Sequence, residues 1–252
     1  KEQTIISTFI DKNQDVVGII SDNRFGVKSN KIPSVYITHQ LNVLSGFTTF
    51  LTSKIHQKII NKFDECWIPD NLNSEFSGKL SSTKKELNQK FIGVLSRFKK
   101  EKLPRKIDIL VIISGVEPNR TSLEKKLKKE LSKSDKKIVL VQGRMEPQQK
   151  ISEDKNIKTY NFMLSNELQN AINSSEIVVC RSGYSSIMDL AVLEKKVFFI
   201  PTKNQTEQEY LADFLEAKKI APFCIEENFN IEKLLEIECY SGLKSKKTKL
   251  DT

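Results

Sequence analysis

Short apolar runs alternate with amphipathic stretches along most of the chain. Asp15 to Ile20, Val35-Tyr36-Ile37, Cys66-Trp67-Ile68-Pro69, Ile107 to Ile113, Lys137 to Val141, Ile157 to Phe162, Ile177 to Cys180, Val197 to Ile200 and Pro222 to Ile225 read as buried strands. Several of them, such as Ile177 to Cys180, are short apolar runs without alternation, as in parallel strands covered on both faces. Between them, Leu44, Phe47, Leu51, Ile55, Ile59 and Phe63 recur at helical spacing, with Lys54, Lys58 and Lys62 on another face. This predicts an amphipathic helix over Leu44 to Phe63, packed on the sheet through its apolar side. The competing reading is a helix lying on a membrane, its lysines against anionic lipid. Helices are also expected over Ser122 to Leu131, over Leu164 to Ile172, from Ile187 to Leu193 and from Thr206 onward. Residues 70 to 90, rich in Asn, Ser and Lys, read as a polar connection, and residues 4 to 10 are too short to assign. Strand and helix taking turns predicts an α/β fold with doubly wound parallel sheets. Lys and Arg crowd around Pro104 between Arg97 and Lys106, which divides the chain into domains 1–100 and 101–252.

Composition narrows the class. A chain of 252 residues, 38% hydrophobic with 14 Phe, can bury two modest cores. No apolar run reaches the roughly 18 to 20 residues that a membrane-spanning helix needs. The formal charge of +9 would suit a polyanion, but the lysines are spread out, with the densest groups at Lys125 to Lys137 and Lys244 to Lys249. No aromatic residues interleave with them, so nucleic acid is not an expected partner. Cys66, Cys180, Cys224 and Cys239 form no CxxC pair, which signals neither a zinc site nor a disulfide framework and predicts reduced thiols in a cytoplasmic setting. The start at Lys1-Glu2-Gln3-Thr4 has no Met and no signal-peptide pattern, as expected of a piece of a longer chain.

The stretch Glu176 to Glu216 concentrates the candidate chemistry. After the run ending at Cys180 come Arg181, Ser182, Gly183, Tyr184, Ser185 and Ser186, and then a helix. A helix start offers unpaired amides and the positive end of a dipole, which suits a diphosphate, and Gly183 permits close backbone approach. An ordinary strand-to-helix turn has the same spacing, and the pattern alone does not separate the two. Neither GxGxxG nor GxxxxGK[ST] occurs, which argues against a dehydrogenase or a P-loop NTPase. Gly115 stands at another strand end, with Arg120 placed either to reach a pyrophosphate or to face solvent. Asp189 is a candidate for ribose hydroxyls, although on spacing alone its own helix dipole accounts for it better. Thr206 and Glu209 have the spacing of a capping box, and Gln208 is the residue that capping does not require. His39 ends a strand beside Gln40 and Asn42, whereas His56 sits within a helical pattern and reads as structural.

Together, Val179-Cys180-Arg181-Ser182-Gly183, Asp189-Leu190-Ala191, Phe199-Ile200-Pro201 and Glu207-Gln208-Glu209-Tyr210-Leu211-Ala212 resemble the donor half of glycosyltransferase family 28. Pro33 to Asn42 and Ser45-Gly46-Phe47-Thr48 resemble its acceptor side. The resemblance is nearest to members carrying Ser-Asp-Asn-Arg, Ile-Thr-His-Gln and Ser-Gly-x-Glu-Pro-x-Arg. It implies a GT-B fold of two Rossmann-like domains, the first incomplete here. It also implies inverting, metal-independent transfer of a hexose-type sugar from a UDP-sugar, with no further cofactor, to a small-molecule or lipid-linked acceptor. Gly115, Ser182, Gly183, Tyr184, Ser185 and Ser186 would then receive the donor with Arg120. Asp189 stands where the family has a ribose-binding Glu, Gln208 matches a sugar-contacting Gln, and Glu209 replaces a second Gln. His39 and Asn42 match acceptor-side residues and are the candidate catalytic pair on this chain. The usual candidate base would come from an upstream segment or a partner chain. The setting implied is cytoplasmic, with peripheral contact at the inner face of the membrane. The rival readings are a UDP-sugar 2-epimerase and a non-catalytic, UDP-sugar-binding half of a two-chain transferase.

Overall fold

The computed structural model describes residues 2–44, 49–82 and 87–245. The chain forms two compact units that divide between Leu95 and Ser96. In the first, α1 (Glu2–Lys12) precedes β1 (Ile19–Asp22), β2 (Ser34–Ile37), α2 (Thr49–Ile60), β3 (Glu65–Ile68) and β4 (Gln89–Phe91). The strands form a four-stranded parallel sheet in the order β1-β2-β3-β4. Tyr36, Leu41, Ile60, Phe63, Cys66, Ile68 and Leu87 make its core. Each large apolar side chain buried in this way contributes about 1.5–3 kcal/mol.

Several local expectations change here. The unassigned start is the helix α1, and β1 begins only at Ile19, because its pairing with β2 starts at Ile19 opposite Ser34. The polar connection contains a short 3-10 turn, Gly78–Leu80, and the strand β4. It is organised by the buried Asp70 carboxylate, which accepts from the backbone N–H of Asn71 and Ser77 at 2.6 and 2.8 Å and from the Ser77 hydroxyl at 2.5 Å. The largest change is the facing of α2. Ser53, His56, Gln57 and Ile60 are buried, while Phe50, Leu51 and Ile55 are exposed beside Lys54 and Lys58. Polar partners decide this: Ser53 Oγ accepts from the Val43 N–H at 3.0 Å, and Gln57 Nε2 donates to Asn42 Oδ1 at 3.0 Å. His56 lies edge-on to Phe25, with ring centroids 5.1 Å apart, and burial pushes its pKa down. The beginning of the predicted helix at 45–48, including Ser45-Gly46-Phe47-Thr48, and the basic residues 246–249 lie outside the described residues.

The second unit contains β5 (Ile107–Ile112), α3 (Asn119–Leu131), β6 (Ile138–Val141), β7 (Ile151–Asp154), β8 (Ile157–Tyr160), α4 (Ser165–Asn173), β9 (Ser175–Cys180), α5 (Tyr184–Val192), β10 (Lys196–Phe199) and α6 (Thr206–Ala217). Its sheet has the order β10-β9-β5-β6-β8-β7 and is parallel except for β7, which pairs antiparallel with β8. The predicted run Pro222 to Ile225 makes a single bridge, Phe199 to Phe223, rather than a strand. Ile109, Val111, Ile113, Leu123, Leu127, Leu140, Val179 and Phe198 fill one continuous core. This unit begins at Ser96, ahead of the expected boundary at residue 100, because the linker already bonds to it. Lys99 N–H donates to Gln169 Oε1 at 2.9 Å, and Glu101 N–H donates to Asn173 Oδ1 at 3.2 Å.

Candidate functional site

In the second sheet the chain leaves β5 toward β6 and later returns to lay β9 on the other side of β5. The strand order therefore reverses between β5 and β9. Ligands of open α/β sheets sit in the crevice outside the carboxyl ends of strands at such a reversal. Two loops border it, one from Ile113 to Pro118 leading into α3 and one from Arg181 to Gly183 leading into α5.

The α5 loop is open to a ligand. Gly183 is the N-cap, and a Cβ built on it would meet nothing within 4 Å. Among the described residues, no acceptor bonds the backbone N–H of Ser185 or Ser186. The dipole and the exposed donors thus face the crevice. Ser182 and Tyr184 are buried, and the Ser182 hydroxyl donates to Gln208 O at 2.7 Å and ties the α5 loop to α6.

Behind the turn lies a residue whose role the sequence pattern did not reveal. Arg181 is only 2% exposed. Its Nη1 donates to Ile200 O and Pro201 O at 3.1 and 2.9 Å, and its Nη2 donates to Asn119 O at 3.2 Å and Glu226 Oε2 at 3.0 Å. One guanidinium therefore joins the loops after β9, β5 and β10. An arginine directly after an apolar run was the available signal, because a buried guanidinium demands several acceptors.

The cap of α6 is Gln205 rather than Thr206. Gln208 Oε1 accepts from the Thr202 N–H at 2.9 Å, and Glu209 Oε1 accepts from the Asn204 N–H at 2.9 Å. Both side chains therefore hold the loop before α6, and the Gln208 amide keeps its NH2 as a donor. Asp189 lies past the first turn of α5 and accepts from the Ser96 hydroxyl at 2.5 Å, a partner that replaces the dipole reading. Burial raises its carboxyl pKa, and the Ser96 hydrogen bond opposes that rise.

On the α3 side, Gly115 has φ +105° and open space around it. Arg120 is not solvent-facing: it forms an ion pair with Glu117, and its Nη1 donates to Gln142 O at 3.3 Å. Glu117 also accepts from the Thr121 hydroxyl at 2.9 Å and from the Thr121 N–H at 3.1 Å. Those contacts hold its carboxyl below the usual range. Gly143, after β6, has φ +65°, and a Cβ there would lie 2.4 Å from Ile113 O. Only glycine fits between these strand ends.

His39 and Asn42 belong to the first unit. His39 is half-buried just after β2. The Asn42 amide is occupied by its own unit: Nδ2 donates to Lys79 O and Ser82 O at 2.6 and 2.5 Å, and Oδ1 accepts from Gln57.

Comparison with known proteins adds the following. The glycosyltransferase family 28 C-terminal domain matches residues 111–248. The UDP-N-acetylglucosamine--N-acetylmuramyl-(pentapeptide) pyrophosphoryl-undecaprenol N-acetylglucosamine transferase of Buchnera aphidicola subsp. Schizaphis graminum is 28% identical over 215 residues. That match covers 83% of this chain, which spans only 57% of the relative's length. Among solved structures, the glycotransferase of kitacinnamycin matches with a TM-score of 0.67 at 13% identity, over 92% of this chain and 69% of its own. MurG of Acinetobacter baumannii matches with a TM-score of 0.56 at 12% identity, over 95% and 70% of the two chains. A protein described as a UDP-N-acetylglucosamine 2-epimerase from Listeria monocytogenes reaches 0.57 at 11% identity, over 94% and 69%. These likenesses show the fold, a mixed α/β chain with parallel sheets of the kind found in GT-B glycosyltransferases.

Proposed function

The chain belongs to glycosyltransferase family 28, and on that footing we propose that its second unit binds the UDP part of a UDP-sugar and serves transfer of a hexose-type sugar. The observation that carries this reading is the open start of α5 at the strand-order reversal, with unbonded amides at Ser185 and Ser186 and clear space at Gly183. Negative charge grows on the diphosphate as the glycosidic bond breaks, and fixed amides aimed at it lower that barrier without a resident metal. Asp189 would take the ribose hydroxyls, and the Gln208 NH2 a sugar hydroxyl. Transfer proceeds with inversion to an acceptor that is lipid-linked, by analogy with what the Buchnera relative's name states. His39 is the acceptor-side candidate on this chain.

The exposed face of α2 supports peripheral membrane contact at the cytoplasmic side. Phe50 is 71% exposed and Leu51 62%, with Lys54 and Lys58 beside them. Among the described residues no helix is long and apolar enough to cross a membrane.

The fold shared with the Listeria protein favours one second reading, epimerisation of the donor sugar. Product analysis separates the two. Incubation with UDP-N-acetylglucosamine alone should leave the sugar's C2 configuration unchanged, and UDP release should require a lipid-linked acceptor. A C2 epimer formed from donor alone would refute transfer in favour of epimerisation. UDP bound without turnover until a second chain is added would mark this chain as one half of a two-chain enzyme.

A further inference from the structure

The two helix starts at the crevice differ. That of α5 is open, whereas that of α3 is already filled by the chain's own carboxylates. Glu117 takes the Thr121 N–H and hydroxyl and pairs with Arg120. Glu226 accepts from the Ser122 hydroxyl at 2.6 Å and pairs with the buried Arg181 at 3.0 Å. Two further amides of the turn are also used: Arg120 N–H bonds Val116 O and Ser122 N–H bonds Pro118 O, at 3.2 and 3.0 Å. A helix N-terminus flanked by two guanidinium groups is a strong anion site. Here the anion in it is protein.

The two carboxylates are not equivalent. The side chain of Glu226 is 19% exposed and is locked to a guanidinium that is itself buried. That of Glu117 is 51% exposed and sits on an irregular loop next to Gly115, whose φ of +105° and empty surroundings leave the backbone room to turn. Glu117 can swing into solvent with its charge intact. Glu226 cannot leave without stranding Arg181.

We infer that Glu117 is a resident anion that competes with the donor's diphosphate for Arg120 and the first turn of α3, and so sets donor affinity. This rests on the donor reading above and deepens it. Binding would exchange one anion for another at the same donors: the carboxylate moves to water, and a phosphate oxygen takes its place. A competing charge at a helix terminus weakens binding severalfold. The uridine moiety carries no charge and would not sense the exchange.

The test is titration calorimetry of UDP, inorganic pyrophosphate and uridine into the full chain and into its Glu117→Gln and Glu117→Asp variants, with thermal unfolding as the check on folding. Glu117→Gln should bind UDP and pyrophosphate about two- to fivefold tighter than the parent chain, with uridine unchanged. Glu117→Asp, which retracts the charge from Thr121, should fall between the two. It stands in for Glu117→Gln if that variant does not fold. Equal or weaker UDP binding by the variants, with UDP still bound by the parent chain, would overturn the competition alone and leave the diphosphate on α5. Failure of every form to bind UDP would overturn the donor reading and this inference together.

Discussion

The hydroxyl of Ser96 donates to the carboxylate of Asp189 at 2.5 Å, so the first residue of the second unit is fastened to the helix that follows the open turn. Burial raises the Asp189 carboxyl pKa. The folded protein then holds that proton more tightly than the unfolded chain does. Its contribution to stability is complete below the ordinary carboxylate range and is lost as pH rises through the raised value. Asp189→Asn should therefore unfold at a higher temperature than the parent chain at neutral pH, with the gap closing in acid. UDP affinity should fall about tenfold, the effect of losing a charged hydrogen-bond acceptor. Calorimetric scans across pH and UDP titration read both, and undiminished UDP affinity would take Asp189 out of the donor site.

Arg181 should matter first to folding. Arg181→Ala strands Glu226 and removes donors from three backbone carbonyls, a loss of about 3 kcal/mol or more. Arg181→Lys keeps the charge but lacks the planar fork that spans these acceptors, and should recover little of it. Urea denaturation decides. A lysine variant as stable as the parent chain would mean that charge alone is required.

Two glycines give a paired test. Gly143→Ala forces a Cβ to within 2.4 Å of Ile113 O at φ +65°, and should cost about 1–3 kcal/mol of stability. Gly183→Ala meets nothing within 4 Å, so stability should stay within about 0.5 kcal/mol while UDP binding weakens roughly tenfold. Chemical denaturation and UDP titration of both variants would show whether the space at Gly183 belongs to a ligand.

The outward face of α2 can be examined with vesicles. Replacing Phe50 and Ile55 together by Glu should leave the unfolding midpoint unchanged, since both are exposed, and lower binding to anionic phospholipid vesicles about tenfold or more. Sedimentation with vesicles of neutral and anionic composition separates apolar insertion from charge attraction. Unchanged binding would remove α2 from the membrane contact.

What could be read from the sequence follows from burial. The strands β5, β6, β9 and β10 are covered on both faces and announce themselves as unbroken apolar runs. β7 has every residue exposed and β4 has none fully buried, so neither leaves a hydrophobic signature. The buried face of α2 differs from the one its apolar spacing predicts because hydrogen bonds to the loop at Leu41 to Val43 outweigh apolar burial there, and such partners are invisible to periodicity. Gly183 and Asp189 could be nominated from the sequence as candidates for a diphosphate and a ribose, roles that belong to the proposed function. That Glu117 holds Arg120, that Gln208 holds Thr202 and that Arg181 joins three loops depends on contacts between residues far apart in the chain.

The reversed direction of β7 has a consequence for the molecule's behaviour in a crowded solution. It places Ser152, Glu153 and Asp154 on the outermost strand, all exposed. A foreign strand seeking the unsatisfied backbone at this margin would have to bring its own amides alongside two carboxylates, in a sheet whose direction has just been broken. The second unit thus carries, at the rim that β7 forms, a deterrent to polymerisation.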